Sequence, residues 1–207
     1  MNNPAWKGNR PKTEEEAKQL LLEATLKLAK QSGDLKKVTI SRVAKEVGVT
    51  RRTVYHYFEN TDDLFLFASA HVGGELLKKL YVHAVKFESF EERVLESMVY
   101  LVKEIPKHPS IYRNFDVHTL SGGVNIDGAL AEEALDYSYL MLRTVFPEAE
   151  KMPEEAWLRE LAEHMVRLIF AVLVAPGPRL GTQKKIRTYF QRWLIPIIRT
   201  HLAKDTR

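Results

Sequence analysis

Apolar residues recur along this chain at helical spacing, and no stretch of the second half shows the strict alternation of a strand. After Thr13, a candidate N-cap followed by Glu14, Glu15 and Glu16, the positions Ala17, Leu20, Leu21, Ala24 and Leu28 fall on one helical face. That pattern stops at Ser32-Gly33. Thr39 can cap a second, shorter helix whose inner face holds Val43, Ala44 and Val47, and Gly48 just beyond supplies the left-handed exit. Thr50 is then a fresh cap, so a third helix begins at Arg51. A longer pattern starts near Thr61, with Asp62 and Asp63 in its first turn, and runs through Leu64, Phe65, Val72, Leu76, Leu77 and Leu80.

Gly73 and Gly74 interrupt that long helix, each costing about 1 kcal/mol relative to alanine. Either two helices meet there or one bends, and a packing requirement against a neighbouring helix is the alternative. Further on, punctuation divides the chain. Helices are predicted over residues 90–105, 109–118, 127–146 and 153–175, with Pro153 in the first turn of the last of these. A final helix over 182–202 should kink at Pro196. The fold class expected is all-α: an N-terminal three-helix domain over residues 1–60, whose first eleven residues form a flexible basic arm, and a C-terminal helical domain over residues 61–207.

The two short helices around Gly48 form a helix-turn-helix pattern. At ~100° per residue, Arg51, Arg52, Tyr55 and His56 lie within an arc of roughly 140°, with Val54 and Phe58 on the other side. One face packs while the other offers guanidiniums, a phenol and an imidazole, groups able to hydrogen-bond base edges or phosphates. A solvated helical hairpin inside a larger helical protein would show the same bare pattern.

The residues go beyond the bare pattern. Thr39-Ile40-Ser41-Arg42-Val43-Ala44, the turn Gly48-Val49-Thr50 and the block Thr53-Val54-Tyr55-His56-Tyr57-Phe58 together resemble the N-terminal domain of the tetracycline-repressor (TetR) family of transcriptional regulators. The resemblance covers residues 17–64. It implies a ligand-responsive repressor that binds a palindromic operator as a homodimer, in a bacterial cytoplasm. The candidate DNA contacts are Ser41, Arg42, Thr50, Arg51, Arg52, Thr53, Tyr55, His56, Tyr57 and Thr61. Arg52 stands where the family often has glycine, and Thr61 where a lysine usually opens the next helix. Arg42 puts a cation near a helix N-terminus, at a cost of about a few tenths of a kcal/mol, which an outside anion could offset or solvent simply tolerate.

Charge fits a polyanion partner. Residues 1–60 carry 12 Lys+Arg against 7 Asp+Glu, whereas residues 61–207 carry 19 against 20, so the chain's net +4 resides with the helix-turn-helix. Lys7 and Arg10 of the arm, with Lys12 just beyond it, could lie in a minor groove, or the arm could simply be disordered. Trp6 reads as a chance packing contact. The absence of cysteine removes disulfides, thiolate zinc sites and cysteine nucleophiles, and the longest apolar run, 168–175, is far below the ~20 residues of a membrane span. Di-iron, phosphate-loop and serine-hydrolase motifs are missing; Glu160, Glu163 and His164 have the wrong spacing for a metal bundle. No cofactor or metal is expected, and an all-α enzyme is the remote alternative.

The two predicted helices over 153–175 and 182–202 are apolar over more than one face, which the resemblance assigns to a dimeric four-helix bundle with Leu161, Met165, Leu168, Tyr189, Trp193 and Ile197 at the interface. Both could instead be central to one subunit's core. The resemblance also implies an effector pocket within residues 87–146, where Met98, Leu101, Tyr112, Phe115, His118, Tyr137 and Met141 suit a small, largely apolar ligand or, as aromatics and methionines at helical spacing, ordinary core. A constitutive DNA-binding dimer or an activator, without effector, remains the other reading.

Overall fold

The computed structural model describes residues 5–33, 37–108, 132–146 and 152–204. Among them every regular element is helical: α1 (Glu14–Ser32), α2 (Ile40–Val47), α3 (Arg51–Tyr55), α4 (Thr61–Ala84), α5 (Phe90–Glu104), α6 (Glu132–Val145), α7 (Glu155–Val174), α8 (Gln183–Trp193) and α9 (Ile195–Lys204). Short 3₁₀ turns cover Ala5–Gly8 and Ile105–Lys107. The helix expected over 109–118 lies outside the described residues. None of the described helices is long and apolar enough to cross a membrane. The chain divides into two compact units, one reaching Gly74 and the other starting at Glu75.

In the first unit local chemistry sets the boundaries. The side chains of Thr13, Thr39 and Thr50 accept from the backbone N–H groups of Glu16, Arg42 and Thr53 at 3.1, 3.3 and 3.2 Å, satisfying donors that each helix start leaves unpaired. Gly33 and Gly48 close α1 and α2 with φ of 62° and 80°, where a Cβ would be strained. Ala17, Leu21, Ala24 and Leu28 of α1 join Val43, Ala44, Val47, Val54 and Phe58 in one core. Leu20 is only partly covered, whereas Leu22 is fully buried off the expected stripe.

Two features of the first unit depart from the sequence pattern, which starts the long helix near Thr61 and makes the first eleven residues an arm. Thr61 does not cap α4: Asn60 does, its Oδ1 accepting from Asp63 N–H at 2.9 Å, while Asp63 Oδ2 reaches back to Glu59 N–H at 3.1 Å. Thr61 is the first helical residue, and its hydroxyl has no capping duty. The stretch from Ala5 to Gly8 is not a loose arm either. Its 3₁₀ turn places Trp6 in the core, 8 % exposed, with Trp6 N–H donating to the carbonyl of Gly48 at 3.2 Å. The docking is tight enough to hold Trp6 and Lys7 at φ of 61° and 50°, left-handed conformations that cost L-residues about 1–2 kcal/mol each.

α4 runs unbroken through Gly73 and Gly74, and a Cβ at either position would meet nothing within 4 Å. A helix junction is therefore ruled out, and so is close approach by a described neighbour.

In the second unit α5 packs against α7, α8 and α9, and α6 lies along α7. Phe90 and Phe190 are wholly buried. Arg93 ties the start of α5 to the end of α6, donating to the carbonyls of Phe87 at 2.8 Å and Val145 at 3.0 Å. Arg187–Glu96 at 2.7 Å and Arg199–Glu91 at 3.0 Å join α8 and α9 to α5. The expected kink is a break located at Leu194, two residues before Pro196. Proline has no N–H for the carbonyl one turn back and its ring crowds that carbonyl, so the helix stops and restarts with Pro196 in the first turn of α9. Pro153, buried, precedes the first residue of α7 by two positions rather than sitting inside its first turn.

Candidate nucleic-acid interface

Thr50 starts α3 and Val54 anchors it. Because Val54 is fully buried and Phe58 nearly so, the opposite side of this short helix is left outward. Arg51, Arg52 and His56 are exposed, and Tyr55 is 45 % exposed. Arg51 lies over the Tyr55 ring, its guanidinium carbon 6.0 Å from the centroid and one nitrogen 3.5 Å from the phenol oxygen. That contact orders both side chains along one edge of the face. The Arg52 guanidinium makes no hydrogen bond or ion pair among the described residues, so all its donors remain available. The hydroxyls of Thr50 and Thr53 are 2.9 Å apart, and Thr50 is also engaged with the Thr53 backbone.

Tyr57 is half-buried, its ring meeting those of His56 and Trp6 edge-on at centroid distances of 5.0 and 6.3 Å. The Trp6 turn thus braces the end of the outward face from behind. Lys7 adds a looser contact at 3.8 Å to Glu46, whose principal partner is Lys27 of α1 at 2.7 Å. The Lys27 hydrogen bond, with smaller help from both lysines' charges, holds the Glu46 carboxyl below the usual carboxylate range. Lys7 is therefore spent partly inside the protein, while Arg10 stays exposed.

On α2, Ser41 and Arg42 are exposed. Arg42 donates through one guanidinium nitrogen to the backbone carbonyl of Lys37, so a carbonyl dipole of the chain itself meets part of its charge. Thr61 is half-buried.

The residues expected to act in the second unit fall into separate groups. Of the expected pocket residues, Tyr112, Phe115 and His118 lie outside the described residues. Leu101 and Met141 line a cavity of about 30 Å³ together with Val94, Ser97, Ser138, Leu142, Val145, Ala162, Met165, Val166 and Ile169. Met98 is buried but does not line it, and Tyr137 is 53 % exposed on α6. Of the expected interface residues, Leu161 and Met165 face inward, 4 % and 6 % exposed, because α6 and α5 cover that side of α7. They are core residues of the subunit. Leu168 and Tyr189 are half-covered, whereas Trp193 and Ile197 stand out at 60 % and 48 %. No cluster of three His, Asp or Glu side chains able to hold a metal occurs among the described residues.

Residues 21–67 match the family model of bacterial regulatory proteins, tetR family. No curated protein gives a significant sequence match. The fold is shared with the TetR family repressor AlkX from Dietzia sp. strain DQ12-45-1b, implicated in biodegradation of n-alkanes, at TM-score 0.65 and 17% identity over 89% of this chain and 96% of that one. A TetR transcriptional regulator from Rhodococcus sp. RHA1 superposes at TM-score 0.54 and 21% identity, covering 89% and 97%. Identities this low speak for fold alone. The motif match, set on this helix-turn-helix, gives the chain the DNA-binding domain of a transcriptional regulator rather than an enzyme's site. Residues 21–67 thus form a tetR-family N-terminal domain, and the chain shares the fold of solved TetR-family regulators.

Proposed function

We propose that the protein is a ligand-responsive repressor that binds a palindromic operator as a homodimer, reading bases with the outward face of α3 and releasing DNA when a small, largely apolar effector binds the second unit. The observation that carries the reading is that face: Arg51, Arg52, Tyr55 and His56 exposed along one side of a helix whose other side is anchored by Val54. Ser41, Arg42, Thr50, Thr53, Tyr57 and Thr61 surround it as backbone-positioning groups. The local positive excess of residues 1–60 supports the same partner. Selecting bound DNA from a random pool with purified protein tests the reading. A recovered palindrome with half-sites about one helical turn apart, or a multiple of it, is expected.

Replacing Arg51 or Arg52 by alanine should cost ~1–3 kcal/mol of operator binding, with much smaller loss on random DNA. Filter-binding or fluorescence titrations on both DNAs decide it. Equal losses would reduce the arginines to phosphate contacts.

In this reading α4 transmits the effector's signal. Because a Cβ fits at both glycines, Gly73→Ala with Gly74→Ala should fold and raise stability by ~1–2 kcal/mol. The effector response of operator affinity should weaken more than the affinity itself; an unchanged response would remove the glycines from the mechanism. A constitutive dimer is the second reading, favoured by the small size of the cavity among the described residues.

A further inference from the structure

Five helical serines and threonines among the described residues, Thr25, Ser32, Thr144, Thr188 and Thr200, each donate to the carbonyl four residues back, at 2.7–2.9 Å. Ser97 of α5 departs from this. It is 2 % exposed, its Oγ is wholly covered, and that oxygen has no hydrogen-bond partner among the described residues. A buried hydroxyl left unsatisfied is destabilising and calls for a reason. Ser97 lies on the wall of the 30 Å³ cavity, among Val94, Leu101, Met141, Met165 and Ile169. No charged or titratable side chain lines that cavity.

We propose that Ser97 is the polar handle of the effector site, and that the effector is a slender, uncharged, apolar molecule carrying one terminal oxygen, an alcohol or a carbonyl, that enters the cavity oxygen first. This rests on the effector reading above. The chemistry follows from the wall: apolar side chains reward an alkyl body, the Ser97 hydroxyl, one of two on the wall beside that of Ser138, rewards one hydrogen-bonding group, and a carboxylate would be buried without a cation. The present volume admits little more than the terminal group. Met141 and Met165, unbranched and adaptable, are the side chains whose rotation lengthens the space for the rest.

The test uses the full chain and three probes of one length, 1-hexanol, n-hexane and hexanoate, with binding measured by concentration-dependent thermal shift. In the unsubstituted protein 1-hexanol should bind roughly 3- to 10-fold tighter than n-hexane, the worth of one net hydrogen bond, and hexanoate should bind weakest. Ser97→Ala should bring 1-hexanol down to the level of n-hexane while the ligand-free melting temperature stays the same or rises. A hydroxyl with only a structural role would instead lower that temperature. Equal binding of 1-hexanol and n-hexane, or a preference that survives Ser97→Ala, overturns the handle and leaves the effector site standing. If none of the three binds, the effector reading falls and the handle with it.

Discussion

Trp193→Glu is expected to lower operator affinity by roughly 10²- to 10⁴-fold while leaving the folded subunit intact. The side chain is 60 % exposed on α8, so a carboxylate there meets water in the isolated subunit and should change its stability by no more than about 0.5 kcal/mol. In a dimer formed through the outer faces of α7, α8 and α9 the same carboxylate would be buried without a partner. Separated subunits must then occupy the two half-sites independently, and the lost effective concentration accounts for the fall in affinity. Sedimentation of both proteins at micromolar concentration, beside operator titrations, checks the two halves of the argument. A monomeric unsubstituted protein, or a variant that still dimerises, would defeat it. Ile197, 48 % exposed on α9, serves as a second position for the same substitution.

Trp6→Ala should destabilise the first unit by about 3 kcal/mol, the lower part of the range for truncating a buried aromatic. Trp6 is 8 % exposed, packs in the core formed with α1, α2 and α3, and meets Tyr57 edge-on. Removing the ring also removes what offsets the left-handed backbone at Trp6 and Lys7. The turn should then come away from Gly48, leaving Tyr57 without its brace. Chemical unfolding followed by helical circular dichroism gives the stability; a change below about 0.5 kcal/mol would show that the turn contributes nothing to the core.

The reading unit was legible because its signals are local. Thr39, Gly48 and Thr50 act on atoms within four residues, and each does in the structure what its chemistry implies. Trp6 was not legible, because its partner groups on Gly48 and Tyr57 are remote in sequence and four residues of turn carry no periodicity. Asn60 was overlooked for a smaller reason: two adjacent cap-forming residues, Asn60 and Thr61, compete, and the answering Asp63 sits three residues after the first of them. The breadth of the apolar faces on α7 and α8 was visible, but not its division. Leu161 and Met165 are covered by α5 and α6, and only a three-dimensional neighbour separates them from outward Trp193 and Ile197. Ser97 looks in sequence like any helical serine; what distinguishes it is the bond it fails to make.

The docked turn at Trp6 also orders events during folding. Its acceptor, the Gly48 carbonyl, takes its orientation only when α2 ends in the left-handed glycine, and its aromatic neighbour Tyr57 is positioned only after α3 has formed. Residues near Trp6 emerge from the ribosome before either, yet they have nothing to bind until the later segment has folded. The long loop this contact closes costs entropy, and the strained backbone adds to that cost, so the closure belongs after the nucleus rather than in it. Substitutions at Trp6 therefore act on the lifetime of the finished reading unit: they speed its unfolding and leave its rate of formation largely alone.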